Sequence, residues 1–311
     1  MAAPTLDSLQ AEINDIKAKL CAVGTILSDY CTFVPKVEIP KDPFLHLDGS
    51  KYNGTGNWID QTGRGLDAVP VAPTNTPTYD AVNKCFNFDV VNHNAFKIDT
   101  KKHVTSIPGM SAADFAKMSD PNGTQQLGYQ LNAKKPRTFA TWVKFKPFGQ
   151  SVIPGYGKIV SQYVLGFGRN ESGYLYSLGS TWDARPMLYN GNYDGWTSFT
   201  DPQVGTNNYQ KQEMSTAFVD QWILMVATFD GTTNTIYIDD GETKQSWVPR
   251  TQLNTIPDLF YIGRQPVTTN TEAKFNESLT GSVGMVTVYN RALTAEEVKQ
   301  YFEATKATYK K

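Results

Sequence analysis

The residues best equipped for chemistry in this chain lie in one short run, TWDARPMLYNGNYDGWTSFTD, over positions 181–201. Trp182, Tyr189, Tyr193 and Trp196 stand there among asparagine and aspartate side chains. An aromatic face for a pyranose ring beside fixed polar groups for its hydroxyls is the requirement of sugar recognition, so these four are candidate glycan-binding residues. In the same run Asn190, Asn192, Asp194, Gly195, Ser198 and Asp201 occupy positions 1, 3, 5, 6, 9 and 12 of a calcium-loop pattern. Asn190, Asn192, Asp194 and Asp201 are therefore candidate calcium ligands, and calcium is the one cofactor the sequence suggests. Asparagine at the first position and aspartate at the last reduce charge and denticity relative to a strong site. The competing reading is structural: Asn-Gly and Asp-Gly are ordinary hairpin turns, and aromatic residues at period two more often fill a β-sandwich core.

Catalytic patterns are not present. Asp239, Asp240 and Glu242 are the nearest approach to a carboxylate pair, but they straddle a turn and are expected to face solvent. His46, His93 and His103 show no metal-ligand spacing, and no cysteine–histidine pair reads as a nucleophilic site. A non-enzymatic protein is expected. Cys21, Cys31 and Cys85 are an odd number without a C-x-x-C, which argues against a disulfide framework. The formal charge of −1 and pI near 6.3 supply no field for nucleic acid. The acidic, polar first 20 residues are not a signal peptide, and no apolar run reaches the length of a membrane span.

The elements that would position such a site are mostly strands. Residues 221–247, QWILMVATFDGTTNTIYIDDGETKQSW, alternate at period two about Asp230-Gly231 and again about Asp240-Gly241. The pattern predicts an antiparallel hairpin followed by a second tight turn, with one face buried and the other wet. Further strands are expected over 139–145, 159–167 and 173–178, with an insertion over about 100–136 holding a short helix at 111–118. At the amino end, Leu6, Leu9, Ile13, Ile16, Leu20, Val23, Leu27 and Tyr30 are spaced alternately three and four apart. A seam that narrow suits self-association, and leucine at a with β-branched residues at d leans toward a trimer. The prolines at 35, 40 and 43 then impose an extended linker.

Two blocks carry a resemblance. The first contains Asp48, Gly49, Ser50, Tyr52, Gly56, Trp58, Asp60, Thr62, Gly63, Gly65, Phe86, Phe88 and Asp89. The second contains Tyr261, Ile262, Gly263 and Arg264, then Leu279, Gly281, Val283, Val286, Val288 and Tyr289, then Asn290 to Thr294 with Glu296 and Glu297. Together with the Trp222 hairpin they resemble the opening and closing motifs of concanavalin A-like lectin/glucanase domains, in the laminin-G-like form found in large DNA virus and bacteriophage virion proteins. The resemblance spans 45–302. It implies an all-β jelly-roll sandwich, here with an N-terminal coiled-coil helix at 1–31, a linker at 32–44, the jelly roll at 45–290 and a C-terminal helix within 291–311. Thr294 and Glu297 form a capping box that would start that helix, and Val298, Tyr301 and Phe302 would face the sandwich. Many such domains bind calcium; the glucanases among them carry E-x-D-x-x-E on one strand, which this chain lacks. The expectation is a non-enzymatic virion structural protein, assembled in the cytoplasm, gathered as a homotrimer and contacting other virion proteins and glycans. The alternative is a dedicated lectin or adhesin, calcium-dependent or not.

Overall fold

In the computed structural model the chain divides into two units, Met1–Glu38 and Ile39–Lys311. The structure describes residue 10 and residues 12–16, 37–72, 75–90, 92, 94–100, 127–146, 152–153, 157–158, 161–168, 175–181, 184–189, 211–213, 217–248, 255, 259–266 and 278–310. In the first unit residues 10 and 12–16 are helical. Ile13 and Ile16, at 45% and 55% exposure, are the members of the heptad stripe that can be placed; Leu6, Leu9, Leu20, Val23, Leu27 and Tyr30 lie outside the described residues.

The second unit is two antiparallel sheets and a helix. The eight-stranded sheet holds β1 (Leu45–Asp48), β3 (Thr78–Asp80), β4 (Cys85–Phe88), β6 (Arg137–Phe145), β13 (Trp222–Phe229), β14 (Asn234–Ile238), β15 (Thr243–Trp247) and β17 (Gly281–Tyr289). Its order is β15-β14-β13-β6-β17-β4-β3, with β1 also paired to β17. The seven-stranded sheet holds β2 (Val69–Pro70), β5 (Phe96–Ile98), β9 (Ser161–Gly168), β10 (Leu175–Thr181), β11 (Pro186–Tyr189), β12 (Lys211–Glu213) and β16 (Leu259–Ile262). Its order is β12-β11-β10-β9-β16-β5-β2. A separate ribbon pairs β7 (Val152–Ile153) with β8 (Gly157–Lys158). A short helix α1 (Leu127–Leu131) precedes β6, and α2 (Ala295–Tyr309) closes the chain.

Alternation builds the core. Phe139, Val143 and Phe145 of β6, Ile223, Met225, Ala227 and Phe229 of β13, and Val283, Val286 and Val288 of β17 point inward. They meet Phe167, Tyr176, Leu178, Phe260 and Ile262 of the other sheet, and Phe139 lies edge-on to Tyr176 and Phe260 at 5.2 and 5.5 Å between centroids. The alternate residues of β6, β13 and β17 form a second cluster with Val298, Tyr301 and Tyr309 of α2. The wet face expected for the 221–247 hairpin is therefore not found on β13 and β14: Leu224, Val226 and Tyr237 are buried beneath the helix. Period two marks alternate faces of a strand but not what covers each one.

The capping box forms as expected, with Glu297 N–H donating to Thr294 Oγ1 and Thr294 N–H to Glu297 Oε2. Arg291 pairs with the same carboxylate at 2.8 Å, and Lys310 at the far end pairs with Asp239 at 2.7 Å. The helix is thus held at both ends by charge as well as along its buried face.

Candidate functional site

Of the expected glycan residues, Tyr189 lies on β11 and is half-buried; Trp182, Tyr193 and Trp196 lie outside the described residues. The same holds for the calcium candidates Asn190, Asn192, Asp194 and Asp201. Among the described residues no group of three or more His, Cys, Asp or Glu side chains could hold a metal.

Tyr189 nevertheless places the face. Strand pairing sets it opposite Ser177 and Lys211, Ser177 opposite Gly166, Gly166 opposite Tyr261, Tyr261 opposite Lys97, and Lys97 opposite Val69. Because paired residues share a face, these positions form one row across all seven strands, on the side away from the inter-sheet core. Tyr189 and Tyr261 are three strand spacings apart, about 14 Å at ~4.8 Å each.

Tyr163 belongs to this face through a backbone irregularity. Leu165 and Phe167 point into the core, so strict alternation would send Tyr163 there too. The register instead slips, with Leu178 opposite Leu165 but Gly179 opposite Tyr163, which turns Tyr163 outward to within 6.0 Å of the Tyr189 ring. At the other flank two glycines place a cation. Gly263, at φ +92°, bends the chain directly after β16, and a Cβ there would strike the Phe88 ring. A Cβ on Gly166 would strike the Pro266 ring, so the segment 263–266 folds back over the sheet. The turn lays the Arg264 guanidinium over the Tyr261 ring at 4.2 Å.

Much of this face is nevertheless buried. Tyr163 is 2% and Tyr261 8% exposed, and Ser177 is buried with its hydroxyl unpaired among the described residues. Tyr189, Arg264 and Val69 are half-buried and Lys97 is exposed, so these four meet solvent. Tyr163, Tyr261, Arg264 and Lys97 were not among the sequence candidates. Their signal was present in the register Tyr261-x-Gly263-Arg264, which puts an aromatic ring and a cation on one side of a turn, but the side could not be known without the partner strands.

Other candidate chemistry resolves into scaffolding. Asp239 does not face solvent as expected: its Oδ1 accepts from Leu224 N–H at 3.0 Å and its Oδ2 meets Lys310. Asp240 Oδ1 accepts from Glu242 N–H within the turn. These carboxylates are tied to different partners and do not converge on a reaction centre. His46, on β1 beneath α2, shares a 2.8 Å hydrogen bond with Thr287 Oγ1, which in turn shares one of 2.6 Å with Tyr301. Burial lowers the His46 pKa, against the raising pull of Asp48 and Asp60. Asp60 itself is a hub, accepting from the backbone N–H groups of His46, Thr62 and Leu66 and from the Thr62 hydroxyl. Cys85 is buried, and desolvation pushes its thiol up to about 11, the opposite of what a nucleophile needs. His93 and His103 lie outside the described residues.

Two facing antiparallel sheets, one sealed by a terminal helix and the other carrying an outward aromatic row, define a lectin-type β-sandwich. The chain belongs to the concanavalin A-like lectin/glucanases superfamily: a laminin-G-type family model of that description matches residues 120–299. Among solved structures, Trypanosoma rangeli sialidase in complex with the inhibitor DANA matches at a TM-score of 0.53 and 14% identity, covering 98% of this chain and 40% of that one. The same sialidase in complex with a 2,3-difluoro-KDN matches at 0.52 and 15%, with the same coverage. The binding domain of botulinum neurotoxin DC in complex with rat synaptotagmin II reaches 0.49 at 9% identity, over 84% of this chain and 51% of that one. This chain therefore spans about two-fifths of the sialidase chains, and at these identities the likeness is one of fold. No curated protein matches the sequence.

Proposed function

We propose that this chain is a non-catalytic carbohydrate-binding protein that presents the outer face of its seven-stranded sheet to a saccharide. The observation that carries the reading is the row Tyr189, Ser177, Gly166, Tyr261 and Lys97, with Tyr163 beside Tyr189 and Arg264 on Tyr261. Tyr189, Arg264 and Lys97 bring a ring and two cations to solvent along this row, on a sheet face that the inter-sheet core does not use, while Ser177, Gly166, Tyr163 and Tyr261 are buried behind them. Membership of a superfamily of lectins and glucanases supports the substrate class. The engagement of the Asp239 and Asp240 carboxylates by structural partners supports binding without hydrolysis.

The N-terminal heptad stripe adds a second component to the proposal. Self-association through Leu6, Leu9, Ile13, Ile16, Leu20, Val23, Leu27 and Tyr30, as a trimer, would link weak single sites and raise apparent affinity without new contacts. Exposure of Ile13 and Ile16 on a helix supports it. The narrower setting, a virion surface protein, rests on the motif resemblance alone; neither the family match nor the sialidase likeness carries information about a viral source.

The test is a glycan array with the full chain and with Tyr189→Ala, run with calcium and with a chelator. Binding to a defined set of saccharides that drops at least tenfold in the variant supports the reading. Silence of the folded protein across the array refutes it. Loss of binding in chelator would bring Asn190, Asn192, Asp194 and Asp201 into the site; binding indifferent to chelator would leave calcium out. Light scattering at micromolar concentration tests the oligomer, and a monomer would remove that component.

A further inference from the structure

We infer that the saccharide bound by this face is an acidic one, its anionic group received by Arg264 and Lys97 on either side of Tyr261. The inference rests on the carbohydrate-binding reading above and goes further by fixing the ligand's charge and the residues that read it.

Three observations converge. Lys97 stands directly across from Tyr261 on the outer face, and its side chain is exposed. Arg264 lies over the same ring, so two cations border one aromatic side chain on one sheet face. Neither has a carboxylate partner among the described residues, and the Arg264 Nε–H is buried there without an acceptor.

The buried, unanswered Nε–H separates the Arg264 guanidinium from several other cations around the sandwich. Arg291 is matched by Glu297, Lys306 by Glu303, Lys310 by Asp239 and Lys144 by Asp220. Arg137, the buried guanidinium, is matched instead by the carbonyls of Leu131, Ala133 and Lys135 and the hydroxyl of Thr255. A buried N–H without an acceptor is destabilising, and an incoming oxyanion would relieve it. The guanidinium is also held in place: Gly263 and the Pro266–Gly166 contact fix the turn, and stacking on Tyr261 orients its plane, so little side-chain freedom remains to be lost on binding. Its fork suits a carboxylate or sulfate oxygen pair, and Lys97 supplies a mobile second charge. Tyr261, 8% exposed, backs the two cations from within the sheet. Charge complementarity at one end of the row and aromatic rings at the other define an acidic saccharide rather than a free anion.

The experiment is titration of the full chain with three size-matched oligosaccharides, neutral, carboxylate-bearing and sulfated, plus an oligonucleotide as a polyanion control, at low and high salt. The wild type should bind an acidic oligosaccharide at least tenfold more tightly than the neutral one. Lys97→Ala, at an exposed position, and Arg264→Gln should each reduce acidic binding about tenfold or more, a loss at least threefold greater than either causes for the neutral oligosaccharide. Added salt should weaken the acidic complex alone. The carboxylate and sulfate arms identify which anion is read. Neutral binding equal to acidic binding would overturn the inference and leave the carbohydrate-binding reading standing. Acidic binding unchanged in Lys97→Ala and in folded Arg264→Gln would overturn the assignment to this face. Equal affinity for the oligonucleotide would reduce the effect to general electrostatics and overturn it. Binding to no saccharide at all would refute both readings together.

Discussion

A glycine in the middle of β17 controls whether the C-terminal helix can seat. Gly284 falls at a register slip, where Val283 pairs with Val143 but Met285 pairs with Trp142, and it faces α2. A Cβ there would enter the Tyr309 ring, lying 2.8 Å from its hydroxyl oxygen. Tyr309 is 4% exposed and packs at 5.1 Å against both Trp142 and Trp222. Gly284→Ala must therefore expel the ring, since the sheet beneath cannot move and Tyr309 is the last residue of the helix. Losing a buried aromatic with two ring partners costs about 3–5 kcal/mol. The alanine returns about 0.4–1 kcal/mol by restricting the unfolded chain, leaving a net loss of about 2–4.6 kcal/mol. In a Tyr309→Ala background there is no ring to expel, so the same substitution should become neutral or stabilising by about 0.4–1 kcal/mol. Denaturant unfolding of the wild type, both single variants and the double variant, followed by tryptophan fluorescence, measures the cycle. Additivity of the two substitutions within about 0.5 kcal/mol would show that Gly284 and Tyr309 do not share this contact and would refute the reasoning.

Three further outcomes follow from the same elements. Tyr301→Phe removes the hydroxyl that links α2 through Thr287 to His46, and should lower unfolding stability by about 1–2 kcal/mol in denaturant titration, with the helix signal in circular dichroism retained. The His46 pKa is lowered by burial, so between the folded value and the unfolded value near 6.5 the unfolded state holds more protons. Stability should fall as pH drops below about 6.5, and His46→Gln should flatten that part of the curve. Burial raises the pKa of Tyr176, Tyr289, Tyr301 and Tyr309, so above pH ~10 their unfolded forms release protons first and stability should fall steeply. Arg137, held down to about 10 by burial, works in the opposite sense; a stability plateau from pH 10 to 11.5 would contradict this account of the buried phenols.

Much of the scaffold was legible because its signals are local. The Thr294–Glu297 capping box, the turns at Asp230-Gly231 and Asp240-Gly241, and the alternating run of β13 each follow from a few adjacent residues. What could not be read were the faces. Tyr163 has the spacing of a core residue and leaves the core only because the β9–β10 register slips, which depends on a strand ten residues further on. One face of the 221–247 hairpin was expected to be wet, but both are buried, because the helix that covers Leu224, Val226 and Tyr237 lies some 60 residues or more away in sequence. Arg264 was visible as part of a motif but not as a site residue, since its relation to Lys97 exists only across β16 and β5. Pairing across a sheet is non-local, and period two alone leaves it open.

The two outer faces of the sandwich have been resolved in opposite ways by the same chain. On the eight-stranded sheet, Trp142, Trp222 and Tyr237 are roofed by α2, and the ends of that helix are fixed by Arg291–Glu297 and Lys310–Asp239. The central aromatic surface of that sheet is used up within the fold. On the seven-stranded sheet, aromatic residues of the same kind line a comparable row, yet Lys97 and Arg264 stand beside Tyr261 without an acidic partner among the described residues. If that row served only to stabilise the sandwich, replacing Lys97 would change nothing but solubility. The asymmetry agrees with the proposed binding role, in which Arg264 and Lys97 take their complement from a ligand. On the proposed reading the sheet that lacks a helix, rather than the one that carries it, would receive the ligand, and the Lys97 substitution decides between the two roles.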